Sequence, residues 1–386
     1  MDNKINTLAI LAIILLGVIV YSNALQGPFV YDDFSNIADN PYIKQPGMLS
    51  SLFDLSYVNH PSQARSIYRP VLMFTFFLNY AFGGFSPIGY HLVNILIHIL
   101  NAVLVFILIK EILGPERVFS KKLALFSALI FVSHPIQTET VNYTICRSEL
   151  LAGFFLLLSF ALYVKAVNSV KGKRSFYRSS LIAFGLGLLS KETTLMLPVL
   201  IFFYEYLFVG WKNFKEFLQR LKKYYSFFIV ITATYMLLRV FLLGNILGKL
   251  SMSSPIRPLF INIITQAKVC VFHYLRLLFL PFGLSIDHYV PASGSIFEFP
   301  VFISIIIILA LLVFAFMSRR KNKAISFFII WFFVNLIPTS IVPLHIIMNE
   351  HRLYLSSVSF GFFISLAVLI LADIPGLKKN FDFPAN

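Results

Sequence analysis

Ten apolar stretches recur along this chain and leave little room for any architecture other than a membrane bundle. By hydropathy they cover residues 7–24, 90–113, 122–136, 148–168, 176–190, 193–210, 224–243, 298–317, 324–343 and 356–373. About 20 apolar residues cross the hydrocarbon core as a helix, because every backbone polar group must be satisfied inside the lipid. The third and fifth stretches are short, so their limits are the least defined. Hydrophobic residues make up 58% of the 386 and charged ones 13%, more apolar surface than a soluble core of this length needs. The expected fold is an all-α polytopic membrane protein of about ten transmembrane helices, with residues 1–386 forming a single membrane-embedded domain. The first stretch could be taken for a signal peptide with Ala24 near its cleavage site. Because Asp32 and Asp33 follow at once and the chain stays hydrophobic, it reads as an uncleaved anchor. No soluble domain is expected at either end, and there is no repeat of 20–50 residues.

The net charge of +15 is concentrated in alternate short loops. Lys110, Arg117, Lys121 and Lys122 lie between spans two and three. Lys165, Lys171, Lys173, Arg174 and Arg178 lie between four and five. Lys212, Lys215, Arg220, Lys222 and Lys223 follow span six, and Arg319, Arg320, Lys321 and Lys323 follow span eight. Cytoplasmic loops carry an excess of Lys and Arg, so these loops and both termini belong inside. Basic anchors beside anionic lipid account for nearly all of these residues, and no nucleic-acid partner is implied.

The same alternation sends the other polar clusters to the opposite side. They are Tyr31-Asp32-Asp33; His134 to Glu139 with Arg147 and Glu149; Ser190-Lys191-Glu192; Asp287-His288; and Asn349-Glu350-His351-Arg352. Scattered loop charges would give a similar set. Two of the loops are very short, however, which holds their charges near the bilayer rim, where ionisable groups are costly and usually functional. Residues 26–89 form the longest outer segment. Its turn signals (Asn40-Pro41, Gln45-Pro46-Gly47, His60-Pro61) separate apolar runs at Met48 to Phe53 and Val71 to Phe77, expected as helices lying on the membrane surface. Residues 256–297 are expected to be interfacial or re-entrant, with Arg276 facing the outer side.

Several chemistries are discounted. No Gly-rich phosphate loop or dinucleotide turn occurs. Cys146 and Cys270 lack zinc spacing and read as buried thiols. His91 and His98 share a face of span two, where core packing or a headgroup contact is the favoured role. No metal ligand set and no cofactor is predicted.

The run Phe29-Val30-Tyr31-Asp32-Asp33, then Asp39-Asn40-Pro41, Tyr68-Arg69-Pro70-Val71, Phe77-Leu78-Asn79-Tyr80 and Tyr90-His91-Leu92-Val93-Asn94, resembles the transmembrane O-mannosyltransferases of the cadherin-targeting type. So do His134 to Glu139, Arg147-Ser148-Glu149-Leu150-Leu151, Lys191-Glu192, Tyr274-Leu275-Arg276-Leu277-Leu278 and His351-Arg352-Leu353-Tyr354. The resemblance runs in order over nearly the whole chain. It implies a GT-C bundle with catalytic carboxylates in the first outer loop and a sugar donor carried on a lipid phosphate. In the family the sugar is mannose, and some GT-C enzymes use a divalent metal. The family's tetratricopeptide repeats have no counterpart after the last span, so the chain is expected to be a stand-alone bacterial relative, its active site facing the periplasm.

Chemistry fits that topology. Nucleotide sugars are cytoplasmic, so an outward-facing transferase needs a polyprenyl-phosphate donor, whose phosphate leaves without a strong general acid. It needs a base for the acceptor hydroxyl, from protein or glycolipid, and cations for the phosphate. By the resemblance Asp32 is the base and Asp33 its support, with the roles exchangeable; two loop carboxylates capping the next helix is the competing reading. Attack opposite the phosphate inverts the anomeric centre. Arg352 is the first candidate for the phosphate, with Arg147, Lys191 and Arg276 as alternatives. Tyr31, Arg69, His134, Glu139, Glu149, Glu192 and His351 are candidates for sugar contacts or support. A flippase or transporter of a lipid-linked sugar is the alternative function. It calls for inverted repeats or mid-bilayer charges, for which Arg239 is the main candidate.

Overall fold

The computed structural model describes residues 2–44, 68–114, 117–243 and 257–372, and every regular element among them is helical. The principal helices are α1 (Asp2–Tyr21), α2 (Pro70–Gly83), α3 (Pro87–Leu113), α4 (Val118–Ser133), α5 (Thr138–Asn142) and α6 (Arg147–Asn168). They are followed by α7 (Lys173–Leu188), α8 (Leu197–Tyr204), α9 (Phe214–Arg220), α10 (Ser226–Leu243), α11 (Leu259–Lys268) and α12 (Arg276–Phe279). The last three are α13 (Phe299–Ser318), α14 (Lys323–Ile341) and α15 (Ser357–Leu371). Proline marks several starts, at Pro70, Pro87 and Pro300, where its missing N–H would be unpaired anyway.

Among the described residues, seven helices are long and apolar enough to cross a membrane. An eighth arises if Val118–Ser133 and Pro135–Asn142 count as one span, bent by 52° at His134-Pro135. This is an integral multi-pass membrane protein. The count of ten is not reached by length, because the helices at the expected fifth and tenth spans have 16 and 15 residues. The stretch expected to lie along the interface or re-enter is helical from α11 through a π-helical segment (Val269–Leu275) to α12, and it packs on α13 and α14. In the long first loop, the run at Val71 to Phe77 falls within α2. The Met48–Phe53 run and the turns at 45–47 and 60–61 lie outside the described residues.

Two groups of helices form the bundle. In the first, α3 packs on α1, α4 and α6, α7 lies along α6, and α15 lies along α4. In the second, α11, α13 and α14 pack on one another, and α14 also touches α8 and α15. Phe160 of α6 stacks on Trp331 of α14 (5.8 Å, 19°), and the Trp331 indole N–H donates to the Leu355 carbonyl at 2.7 Å. That contact ties both groups to the turn that leads into α15.

The two histidines on α3 are structural ties. His98 Nε2 lies 3.2 Å from the Val132 carbonyl, which can only accept, so Nε2 carries the proton. His98 Nδ1 therefore accepts from the Tyr354 hydroxyl at 2.9 Å, and Asn101 donates to the same oxygen at 2.8 Å. His91 Nε2 contacts the Gly27 carbonyl at 3.0 Å. The first of these ties fixes the turn just after Arg352, and the second fixes the chain just before Tyr31.

Candidate active site

The Asp pair sits on a strained turn. Tyr31 has φ 46°, the left-handed region that residues with a Cβ rarely adopt. Its ring is 68% exposed and lies edge-on to Tyr143, whose hydroxyl accepts the Asp32 N–H at 3.0 Å. The two carboxylates then diverge. Asp33 is buried: its Oδ2 accepts the Val30 N–H at 3.2 Å and its Oδ1 the Ile145 N–H at 2.8 Å. Burial outweighs these hydrogen bonds and pushes its pKa up to about 6. Asp32 is exposed. One carboxylate therefore holds the loop against the start of α6, while the other is available to solvent and to a ligand.

A cavity of about 520 Å³ lies between the turn before α8, the C-terminal parts of α10 and α14, and the segment 342–355. Its charged wall carries Arg69, Lys191, Arg239 and Arg352 against Glu149 and Glu192. Four cations and two carboxylates leave two positive charges in excess. Glu192 bridges two of the cations: Arg69 donates to Oε2 at 3.0 Å, and Arg239 donates to Oε1. Lys191 pairs with Glu149 at 2.5 Å. Arg352 is half-buried and donates to the carbonyls of Ile347 and Ile346, both at 2.8 Å. Those partners are neutral, so Arg352 keeps its full charge for an anion. The opposite wall is apolar, with Ile337, Pro338, Val342 and Leu355.

A second, almost wholly apolar cavity of about 640 Å³ runs between α11, α13 and α14 and shares Ile337 and Thr339 with the first. It extends along α14 from Ser340 at one end to Ser326 and Arg319 at the other. The charged cavity and the apolar one therefore lie next to each other, with Ile337 and Thr339 of α14 lining both.

Direct contacts join four of the polar sets, and the Asp pair reaches the backbone just before Arg147. Asp33 binds Ile145, Lys191 binds Glu149, His351 binds Glu139, and His288 binds Glu350 at 2.6 Å. Glu139 takes both the His351 Nδ1 (2.7 Å) and its backbone N–H (2.8 Å). Burial raises the pKa of Glu350, against the hydrogen bonds from Ser285 and His288.

Three candidates sit elsewhere. Arg147 is wholly buried in a neutral brace: it donates to Asn94 (2.7 Å), Asn79 (2.6 Å), Thr75 (3.3 Å) and the Tyr90 carbonyl (2.9 Å). The faces of Phe76 and Tyr90 close over it at 4.6 and 5.6 Å. It does not line the cavity, so its place is in the scaffold rather than at a phosphate. Arg276 is exposed on α12, also away from the cavity lining. His134 accepts the Ile136 N–H on Nδ1 and reaches the Leu278 carbonyl from Nε2 at 2.9 Å, clamping the α4 bend to α12. Two site residues were not singled out from the sequence as site residues. Arg239 carried a signal, as an arginine inside an apolar span. Tyr143 carried none, because its role appears only once the first loop folds over it.

Residues 60–239 match the family described as dolichyl-phosphate-mannose-protein mannosyltransferase. Protein O-mannosyl-transferase F38B6.6 of Caenorhabditis elegans is 34% identical over 197 residues, covering 50% of this chain and 27% of that protein. Protein O-mannosyl-transferase TMTC4 of Homo sapiens is 30% identical over 222 residues, covering 53% of this chain and 30% of its own. The chain thus spans about a third or less of these relatives' length. Among solved structures, ArnT from Cupriavidus metallidurans in the apo state superposes with a TM-score of 0.53 at 14% identity, over 96% of this chain and 60% of that one. The same enzyme bound to undecaprenyl phosphate gives 0.51 at 13% identity, over 94% and 59%. The fold is that of a GT-C-type membrane domain. Within that fold, the sequence similarity is to the protein O-mannosyl-transferases.

Proposed function

We propose that this protein is a glycosyltransferase that moves a sugar from a polyprenyl-phosphate donor to a hydroxyl acceptor on the non-cytoplasmic face, with inversion. The observation that carries this reading is a cation-rich cavity lying next to an apolar one along α14, an arrangement suited to a phosphate headgroup on an isoprenoid tail. The neighbour with undecaprenyl phosphate bound and the relatives named as mannosyltransferases support a lipid-linked donor, with mannose as the first sugar to test. Asp32, exposed beside the buried Asp33, takes the acceptor proton as the oxygen attacks the anomeric carbon. The sugar–phosphate bond breaks on the opposite face, and the departing phosphate keeps the electron pair. Arg352, with Lys191, Arg69 and Arg239 around the same cavity, stabilises that charge in a dry setting. Glu149 and Glu192 hold Lys191 and the two arginines in place.

The test is transfer from a labelled polyprenyl-phosphate sugar in membranes holding the wild type, Asp32→Asn or Asp33→Asn. Loss of a general base costs about 10²–10⁴-fold, so Asp32→Asn should abolish donor consumption at equal expression. Equal consumption in all three would remove the pair from catalysis. Movement of labelled lipid across the bilayer without sugar transfer would favour the flippase.

A further inference from the structure

Glu139, Cys146 and His351 each bring one potential ligand atom to the same point, all within 4.8 Å of one another. They come from three separate elements: α5, the turn Thr144–Cys146 before α6, and the turn Glu350–Leu353 before α15. Glu139 and Cys146 are each 5% exposed, and His351 lines the charged cavity. The Cys146 thiol is free and has no hydrogen-bond partner among the described residues. Glu139 and His351 already meet through both carboxylate oxygens, and the buried thiol beside them completes a set of three ligand-type side chains from three elements.

We propose that Glu139, Cys146 and His351 form a binding site for one borderline-soft divalent cation of the zinc class. Thiolate, imidazole and carboxylate together match zinc-type ligation, and hard cations such as magnesium prefer oxygen ligands alone. Three protein ligands would leave a fourth position for a water, and His351 also lines the charged cavity. Binding releases the thiol proton to solvent. The ion ties the second and last outer segments together at the edge of that cavity, a positioning role that does not depend on the proposed transfer activity.

The test uses the full chain purified in detergent, stripped with a chelator and titrated with Co²⁺ alone. The wild type should show a thiolate-to-cobalt charge-transfer band that saturates near one equivalent and is displaced by Zn²⁺. Cys270→Ser should keep the band, and Cys146→Ser should lose it. Glu139→Gln and His351→Asn should weaken binding by at least about tenfold. Thermal unfolding of the stripped variants checks that each is folded. Absence of the band in folded wild type, or its persistence in Cys146→Ser, would overturn the site.

Discussion

A carboxylate that accepts two backbone N–H bonds ordinarily ionises readily, yet Asp33 sits near pKa 6 because its burial outweighs them. The folded value lies above the unfolded 3.8, so folding favours the neutral form. The stability contributed is full below pH 3.8 and is lost as pH rises through about 6. The thermal midpoint of the wild type should therefore fall across that window, and Asp33→Asn should flatten the slope; an unchanged slope would show that another group titrates there. Arg147 makes a different prediction. Arg147→Ala orphans buried acceptors on Asn79, Asn94 and Tyr90, at a cost on the order of 3–5 kcal/mol. Its thermal midpoint should drop sharply while the donor KM of the folded fraction stays near wild type. Arg352→Ala should do the reverse, raising KM for the donor with little loss of stability. Kinetics and unfolding on the same two preparations separate a scaffold arginine from a ligand arginine.

At the scale of elements, close helix approach depends on missing side chains. A Cβ added to Gly361 of α15 would meet the Ser127 carbonyl oxygen of α4 at 2.8 Å, and that backbone atom cannot swing away. Gly361→Val should destabilise the bundle clearly. Gly185→Ala in α7, where a Cβ meets nothing within 4 Å, should be neutral or stabilising by up to about 1 kcal/mol. Equal melting of the two variants in detergent would contradict the close α4–α15 contact. These elements also show what the sequence made legible. Seven of the ten expected spans followed from hydropathy, and the meeting of Lys191 with Glu149 and of His351 with Glu139 agrees with the alternation of basic loops. Pairings did not follow. Whether Arg147 points into the bundle or the cavity depends on the rotation of α6, and its acceptors Thr75, Asn79 and Asn94 lie some 50–70 positions away. The helix through Leu259–Phe279 was obscured by Lys268, His273 and Arg276, charges that read as interfacial until packing against α13 and α14 is known.

For the whole molecule, charge is sorted between the two ends of the bundle. Lys173, Arg220 and Lys223 all approach the ring of Tyr224, at 5.9, 5.2 and 5.2 Å, so two of the basic loops meet. The apolar cavity beside the charged one reaches Arg319 of a third. The positive-inside rule predicts that a membrane sets the basic loops in the cytoplasm and the Asp pair outside. The orientation decides which donor is reachable, since a lipid-linked sugar is required only if Asp32 faces away from the cytoplasm. Both native cysteines are buried, Cys146 at 5% and Cys270 at 6% exposure, so single introduced cysteines report with little background. Ser35 and Ser175 are both exposed, one beside the Asp pair and one in the basic segment after α6. Ser35→Cys should react with a membrane-impermeant maleimide in intact cells, and Ser175→Cys should react only after permeabilisation. The opposite pattern would put Asp32 and the charged cavity in the cytoplasm, where nucleotide sugars are at hand and the argument for a polyprenyl carrier loses its force.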